Sequence, residues 1–256
     1  SSHMVVACSM EANFTQEENS LNMPANSLTF ADKAISFFSS LRLQLPAQPE
    51  IQILNPYQHP EVKEIVKHFF RKYFEDQRER IFLFGINPGR AGGGLTGISF
   101  TDPVALRNSC GIENNLGIHR ELSSEFMYKM IDAFGGADKF YHHFFMSAVC
   151  PLGFMKEEKN YNYYDDKNLL KEVTPFIKST FSRQIAIGAN RKVLICIGTG
   201  KNAAFIQSIN EDLHCFDQII PLAHPRFIMQ YRRKQVSSYL QHYVETLHAC
   251  IDGFPT

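Results

Sequence analysis

Between residues 60 and 73 apolar side chains fall at Val62, Ile65, Val66, Phe69, Phe70 and Tyr73, spacings of three and four that align them on one face of a helix opened by Pro60 and Glu61. Lys63, Lys67 and Lys72 take its wet side. The same periodicity predicts a first helix over 27–45, through Ala31, Ala34, Ile35, Phe38 and Leu41, until Pro46 stops it and a Pro-rich linker follows. Further helices are predicted over 123–134, over 169–187 with an interruption at Pro175, over 203–209, and over 235–249, where Val236, Tyr239, Leu240, Tyr243, Val244 and Leu247 share a face. Short unbroken apolar runs stand at 81–84, 144–149, 193–197 and 218–222 and read as strands buried on both faces. Strands alternating with helices predict an α/β fold with a mainly parallel sheet covered on both sides. Ligands bind such sheets at the carboxyl ends of the strands, which directs attention to 85–103, 150–164, 198–202 and 223–234.

With 256 residues and 44% hydrophobic content the chain can bury one large core, so a single domain over 26–256 is expected. Residues 1–4, SSHM, read as a tag scar, and the polar, aperiodic stretch to about 25 as a loosely attached leader. No later stretch reaches the roughly 18 uninterrupted apolar residues of a membrane span. The 26 basic and 26 acidic residues cancel, so a polyanionic partner must be met by a local basic patch. The six cysteines form neither a C-x-x-C pair nor a cluster of metal-ligand spacing, and several lie in apolar runs, as Cys196 does. They read as reduced, buried thiols of a cytosolic protein, with neither zinc nor an iron–sulfur cluster expected.

Three stretches at strand ends carry candidate chemistry. The first, "FLFGINPGRAGGGLTGISFTDP" at 82–103, is rich in glycine but lacks the lysine and hydroxyl of a P-loop. Its glycines let a backbone approach a flat ligand, Asn87 before Pro88 holds an amide at a strand end, and Phe100 offers an aromatic face. A ligand site and a plain structural loop both fit. The second, "IGTGKNAA", matches G-x-G-x-x-A between a strand and a helix. The pattern reads either as a dinucleotide fingerprint or as a tight strand-to-helix turn, since no acidic residue stands cleanly at the next strand end. In the third, "LAHPRFIMQYRRK" at 222–234, Arg226, Arg232, Arg233 and Lys234 are interleaved with Phe227, Met229 and Tyr231, with no acid between. Such a run suits phosphates and bases, and fits equally a solvated entry to the last helix with His224 as an ordinary loop histidine.

Taken together, "GINPG" with Phe100 thirteen residues after Asn87, "CPLGF" at 150–154, "IGTGKNA" and "HPR" resemble the uracil-DNA glycosylase superfamily. The nearest branch is the single-strand-selective monofunctional family (SMUG), in a bacterial SMUG-like form, with motifs in the same order from about Asn55 to Leu247. The resemblance implies a three-layer αβα sandwich around a four-stranded sheet, and a monofunctional DNA glycosylase of base-excision repair that needs no metal and no cofactor. It implies Asn87 as the water-positioning residue and His224 as the donor to the leaving base. It makes Phe100 the stacking platform, with Gly85, Ile86, Pro88, Gly89 and Ala148 around the base. The run after His224, with Pro225, Arg226, Phe227, Arg232, Arg233 and Lys234, would contact DNA and supply a minor-groove wedge, although it lacks the family's proline- and asparagine-rich composition there.

An amide cannot take a proton as a general base at neutral pH, so Asn87 would orient water, which implies a largely dissociative reaction slower than where a carboxylate stands. No lysine is placed by motif as a Schiff-base nucleophile, so an abasic product without strand cleavage is expected. One departure bears on substrate choice. Where the family carries an asparagine two residues before the cysteine of "CPL", this chain has Ala148, with Ser147, Asn160 and Asn162 as the nearby polar residues. A pocket without an edge-reading group discriminates weakly, so uracil together with hypoxanthine or xanthine is the expected substrate set. The partner implied is DNA, single- or double-stranded, acted on by a monomer in the cytosol and nucleoid of a bacterium, with no membrane. A dinucleotide-binding oxidoreductase using 198–204 and a nucleic-acid-binding module without catalysis are the competing readings.

Overall fold

The structure is a computed structural model and describes residues 27–253, so the tag scar and leader read at 1–25 lie outside the described residues. Among the described residues seven strands are formed: β1 (Gln52–Leu54), β2 (Arg80–Gly85), β3 (Phe144–Ala148), β4 (Gly153–Lys156), β5 (Lys159–Tyr161), β6 (Ala189–Ile197) and β7 (Gln218–Leu222). Four of them, in the order β3-β2-β6-β7, make one wholly parallel sheet, and β1-β4-β5 make a small antiparallel one. Every residue of β2 and β3 is buried, which is why their sequences are apolar without alternation.

The helices are α1 (Phe30–Ser39), α2 (Pro60–Tyr73), α3 (Gly93–Thr96), α4 (Pro103–Asn108), α5 (Leu122–Phe134), α6 (Ala137–His143), α7 (Lys167–Gly188), α8 (Lys201–Leu213), α9 (Pro225–Tyr231) and α10 (Val236–Asp252). They flank the sheet as two packed groups, α1 with α2 and α7, and α5 with α6, α9 and α10, giving the expected three layers. One contiguous apolar core joins them to the sheet. Arg80, wholly buried at the start of β2, is paired with Asp76 at 2.5 Å and stacked 4.7 Å from the Phe74 ring, so its charge is compensated on all sides.

Three expectations are corrected. The first helix ends at Ser39 rather than near 45, because Ser39 and Ser40 turn their hydroxyls back onto the carbonyls of Ser36 and Phe37, and the chain continues extended with Leu41 and Leu45 still buried. Pro175 does not interrupt α7, whose Leu169, Val173, Ile177, Phe181 and Ile185 form a buried stripe that holds the helix across the missing N–H. Residues 225–231 are helical where a loop was expected, since His224 caps Arg226 and Pro225 fits the first helical position. Residues 103–122 form α4 and a strap tied to buried Asp102, which caps Ala105 and accepts from Arg120 Nε and the Glu121 N–H.

Candidate active site

The segments that follow β2, β3 and β7 open into one cleft of about 320 Å³. Between β2 and β6 the strand order reverses direction, the place where a parallel sheet leaves a crevice. The cleft is lined by Gly85, Ile86, Asn87, Pro88 and Gly89 from the turn after β2, by Phe100, by Ala148 at the end of β3, and by His224 after β7. Arg226 and Phe227 stand on its rim. Pro225 is buried inside the start of α9, and Arg232, Arg233 and Lys234 lie beyond the lining, on the outer side of that helix end.

The two glycine-bearing motifs are packed against each other. Gly85 and Ile86 carbonyls accept from the Val149 and Cys150 N–H groups at 3.0 and 3.1 Å, extending the strand pairing past the sheet. A Cβ on Gly153 of "CPLGF" would lie 2.1 Å from the Pro88 carbonyl oxygen, so only glycine allows that approach. Gly85 is demanded by Phe100: a Cβ there would lie 2.6 Å from the ring tip. Phe100 itself has φ of 54°, the left-handed region that costs an ordinary residue about 1 kcal/mol or more. Its ring centroid lies 6.3 Å from that of His224, a separation one planar ring can bridge.

Asn87 is held at both ends of its amide. Oδ1 accepts from the Tyr163 N–H at 2.9 Å and Nδ2 donates to the Tyr161 carbonyl at 3.2 Å. One lone pair and one N–H remain free to bind. His224 accepts the Arg226 N–H on Nδ1 at 3.1 Å, so the neutral ring carries its proton on Nε2. Burial lowers its pKa from 6.5 to about 4, helped by the Arg226 charge, and the imidazole is therefore neutral near pH 7.

Ala148 lines the cleft while its carbonyl accepts from buried Gln184 Nε2 at 3.0 Å. Ser147 gives its hydroxyl to Gln184 Oε1. Asn160 and Asn162 do line the cleft, with Asn160 Oδ1 accepting from the Arg90 N–H and Asn162 Nδ2 donating to the Tyr164 hydroxyl. Glu121, Ser123, Tyr164 and Gln230 also line it and escape motif reasoning. Glu121 and Ser123 stand at the start of α5, and a helix start predicted near 123 is the sequence signal for that pair. On the rim, Phe227 and Tyr231 lie one helical turn apart with rings 5.9 Å from each other, and the Arg232 guanidinium sits 5.0 Å from the Phe227 ring. Both aromatics are exposed, Tyr231 at 67%.

Among the described residues no three His, Cys, Asp or Glu side chains gather as a metal-ligand group, and no helix is long and apolar enough to cross a membrane. The five described cysteines are all buried. Over residues 71–248 the chain matches the Uracil DNA glycosylase superfamily. Among solved structures it is similar to wild-type Pedobacter heparinus SMUG2, at 43% sequence identity and a TM-score of 0.85, across 88% of this chain and 100% of that one. No curated protein matches.

Proposed function

The chain belongs to the uracil DNA glycosylase superfamily, and from that premise we propose that it releases hypoxanthine and xanthine as well as uracil from DNA, leaving an abasic site with the strand uncut. Hydrolysis of the N-glycosyl bond in DNA repair follows from the family. The breadth of base choice, the uncut strand and the residue roles are the proposal. The observation that carries it is the convergence of Asn87, Phe100 and His224 on one cleft beside Ala148.

The damaged base leaves the stack, at least cost when mispaired or single-stranded, and lies against Phe100, whose stacking recovers about 1 to 3 kcal/mol. As the C1′–N bond stretches, positive charge builds on the sugar and negative charge on the base. The Nε2–H of neutral His224 donates to the base oxygen where that charge gathers, so it stabilises the transition state more than the ground state. Asn87 presents its free lone pair and N–H to the attacking water without taking its proton. Uracil, hypoxanthine and xanthine all carry a ring carbonyl for His224. Ala148 offers no group to distinguish their other edges, which supports the wider substrate set.

Outside the cleft, Phe227 would enter the stack as the wedge while Arg226, Arg232, Arg233 and Lys234 meet phosphates, making affinity fall with salt. The dinucleotide reading loses its footing because no residue of 198–204 lines the cleft.

With enzyme in excess over uracil-containing oligonucleotide, Asn87→Ala and His224→Ala each lower the rate of base release about a hundredfold or more. Wild-type product stays uncut until alkali is added. Full release by Asn87→Ala, or strand breaks before alkali, would overturn the assignment.

A further inference from the structure

The turn "GTGKN" at 198–202 is unused by the chemistry above, yet its side chains reach the segment that holds Asn87. Tyr163, wholly buried, donates its hydroxyl to Asn202 Oδ1 at 2.6 Å, and Asn202 Nδ2 donates to the Ile197 carbonyl at 3.1 Å. The Tyr163 ring packs 5.0 Å from Phe205, and the Lys201 ammonium sits 5.7 Å from the Tyr164 ring. The first turns of α8 therefore grip residues 163–164, which leave the short strand β5. Gly198, at φ of 112°, a backbone conformation that residues with a side chain rarely adopt, lets the chain fold back so that Asn202 reaches inward.

We propose that Tyr163 and Asn202 are positioning residues for the Asn87 amide, linked to it through the Tyr163 N–H, and that the glycine-flanked turn serves base release rather than nucleotide binding. The inference rests on the role assigned to Asn87 in the proposed function. Its logic is the cost of the arrangement. A buried hydroxyl and a buried amide must be matched to each other, where two apolar side chains would fill the same space with no such constraint. What the polar pair adds is a fixed depth for the Tyr163 backbone. That backbone sets the Asn87 Oδ1 direction, and the Tyr161 carbonyl sets the Nδ2 direction. Losing the hydroxyl frees the segment to shift, and small displacements of a water-orienting group reduce rate without weakening DNA binding.

The test is a cycle of single-turnover base release on uracil-containing oligonucleotide, with DNA affinity measured alongside. Tyr163→Phe and Asn202→Ala are each expected to lower the rate about tenfold while the dissociation constant changes less than about twofold. In an Asn87→Ala background, followed over hours, Tyr163→Phe is expected to change the residual rate less than about twofold, because the group it positions is gone. A tenfold loss in both backgrounds would mean a general structural role and overturn the inference. No loss in the wild-type background, with Asn87→Ala itself crippled, would overturn it while leaving the role of Asn87 intact. A fully active Asn87→Ala would remove that role and the inference with it. Should Asn202→Ala fail to fold, Tyr163→Phe, which keeps the ring packing, carries the test alone.

Discussion

Asn87, Phe100 and His224 come from three separate motifs, and each is fixed by backbone rather than by another reactive side chain: Asn87 by Tyr161 and Tyr163, Phe100 by its seat on Gly85, His224 by the N–H of Arg226. Their identities were legible because the chemistry selects the residue type. Their states were not, because no spacing in the chain tells which imidazole nitrogen is protonated or why Gly85 lacks a side chain. His224 makes this testable. Its pKa falls from 6.5 to about 4, chiefly through burial, so the folded chain resists a proton that the unfolded chain accepts between those values. Stability associated with the neutral ring is present above pH 6.5 and is lost as the pH drops toward 4. Denaturation midpoints of wild type should therefore fall relative to His224→Gln over that interval, and base release should show no inflection near 6.5. Parallel midpoints, or a rate that halves near the ordinary histidine value, would contradict the neutral assignment.

The strands and helices with strong periodicity were readable to within a few residues, as β2 and α2 show, since burial on one face or two imposes the pattern; β7, expected to be buried on both faces, is instead an edge strand with only Leu222 buried. The small sheet was not. Its strands are three or four residues long, and the β4–β5 hairpin turns through Glu157 and Glu158 at φ of 50° and 64°, without the glycine or asparagine that marks such a turn. The short α9 was hidden similarly, behind a run whose charges suggested a loop, although histidine followed by proline is a helix start. The hairpin pays an evident conformational penalty. Glu158→Gly should stabilise the protein by about 1 kcal/mol, seen as a raised urea midpoint at unchanged slope. A lowered midpoint would mean that the Glu158 side chain contributes more than its backbone strain costs.

Across the fold, the order β3-β2-β6-β7 brings the segments after β2, β3 and β7 to one crevice, so motifs spread over residues 85–226 meet there. Alternating strands and helices predicted that geometry from the chain, and the placement of ligand sites at strand ends predicted where to look. What the chain could not give was how its two glycine-rich turns divide their tasks. The one after β2 lines the cleft, while the one after β6 reaches it only through Asn202 and Tyr163. Nor could it say that the hydroxyl of Ser147, which lines the cleft next to Ala148, is engaged by Gln184. Loose base choice is the central expectation for this cleft. The decisive assay incubates excess protein with otherwise identical oligonucleotides carrying uracil, hypoxanthine or xanthine, and scores alkali-dependent cleavage. Release of all three bases, at rates within about a hundredfold of one another, is the predicted result. Release of uracil alone would contradict it.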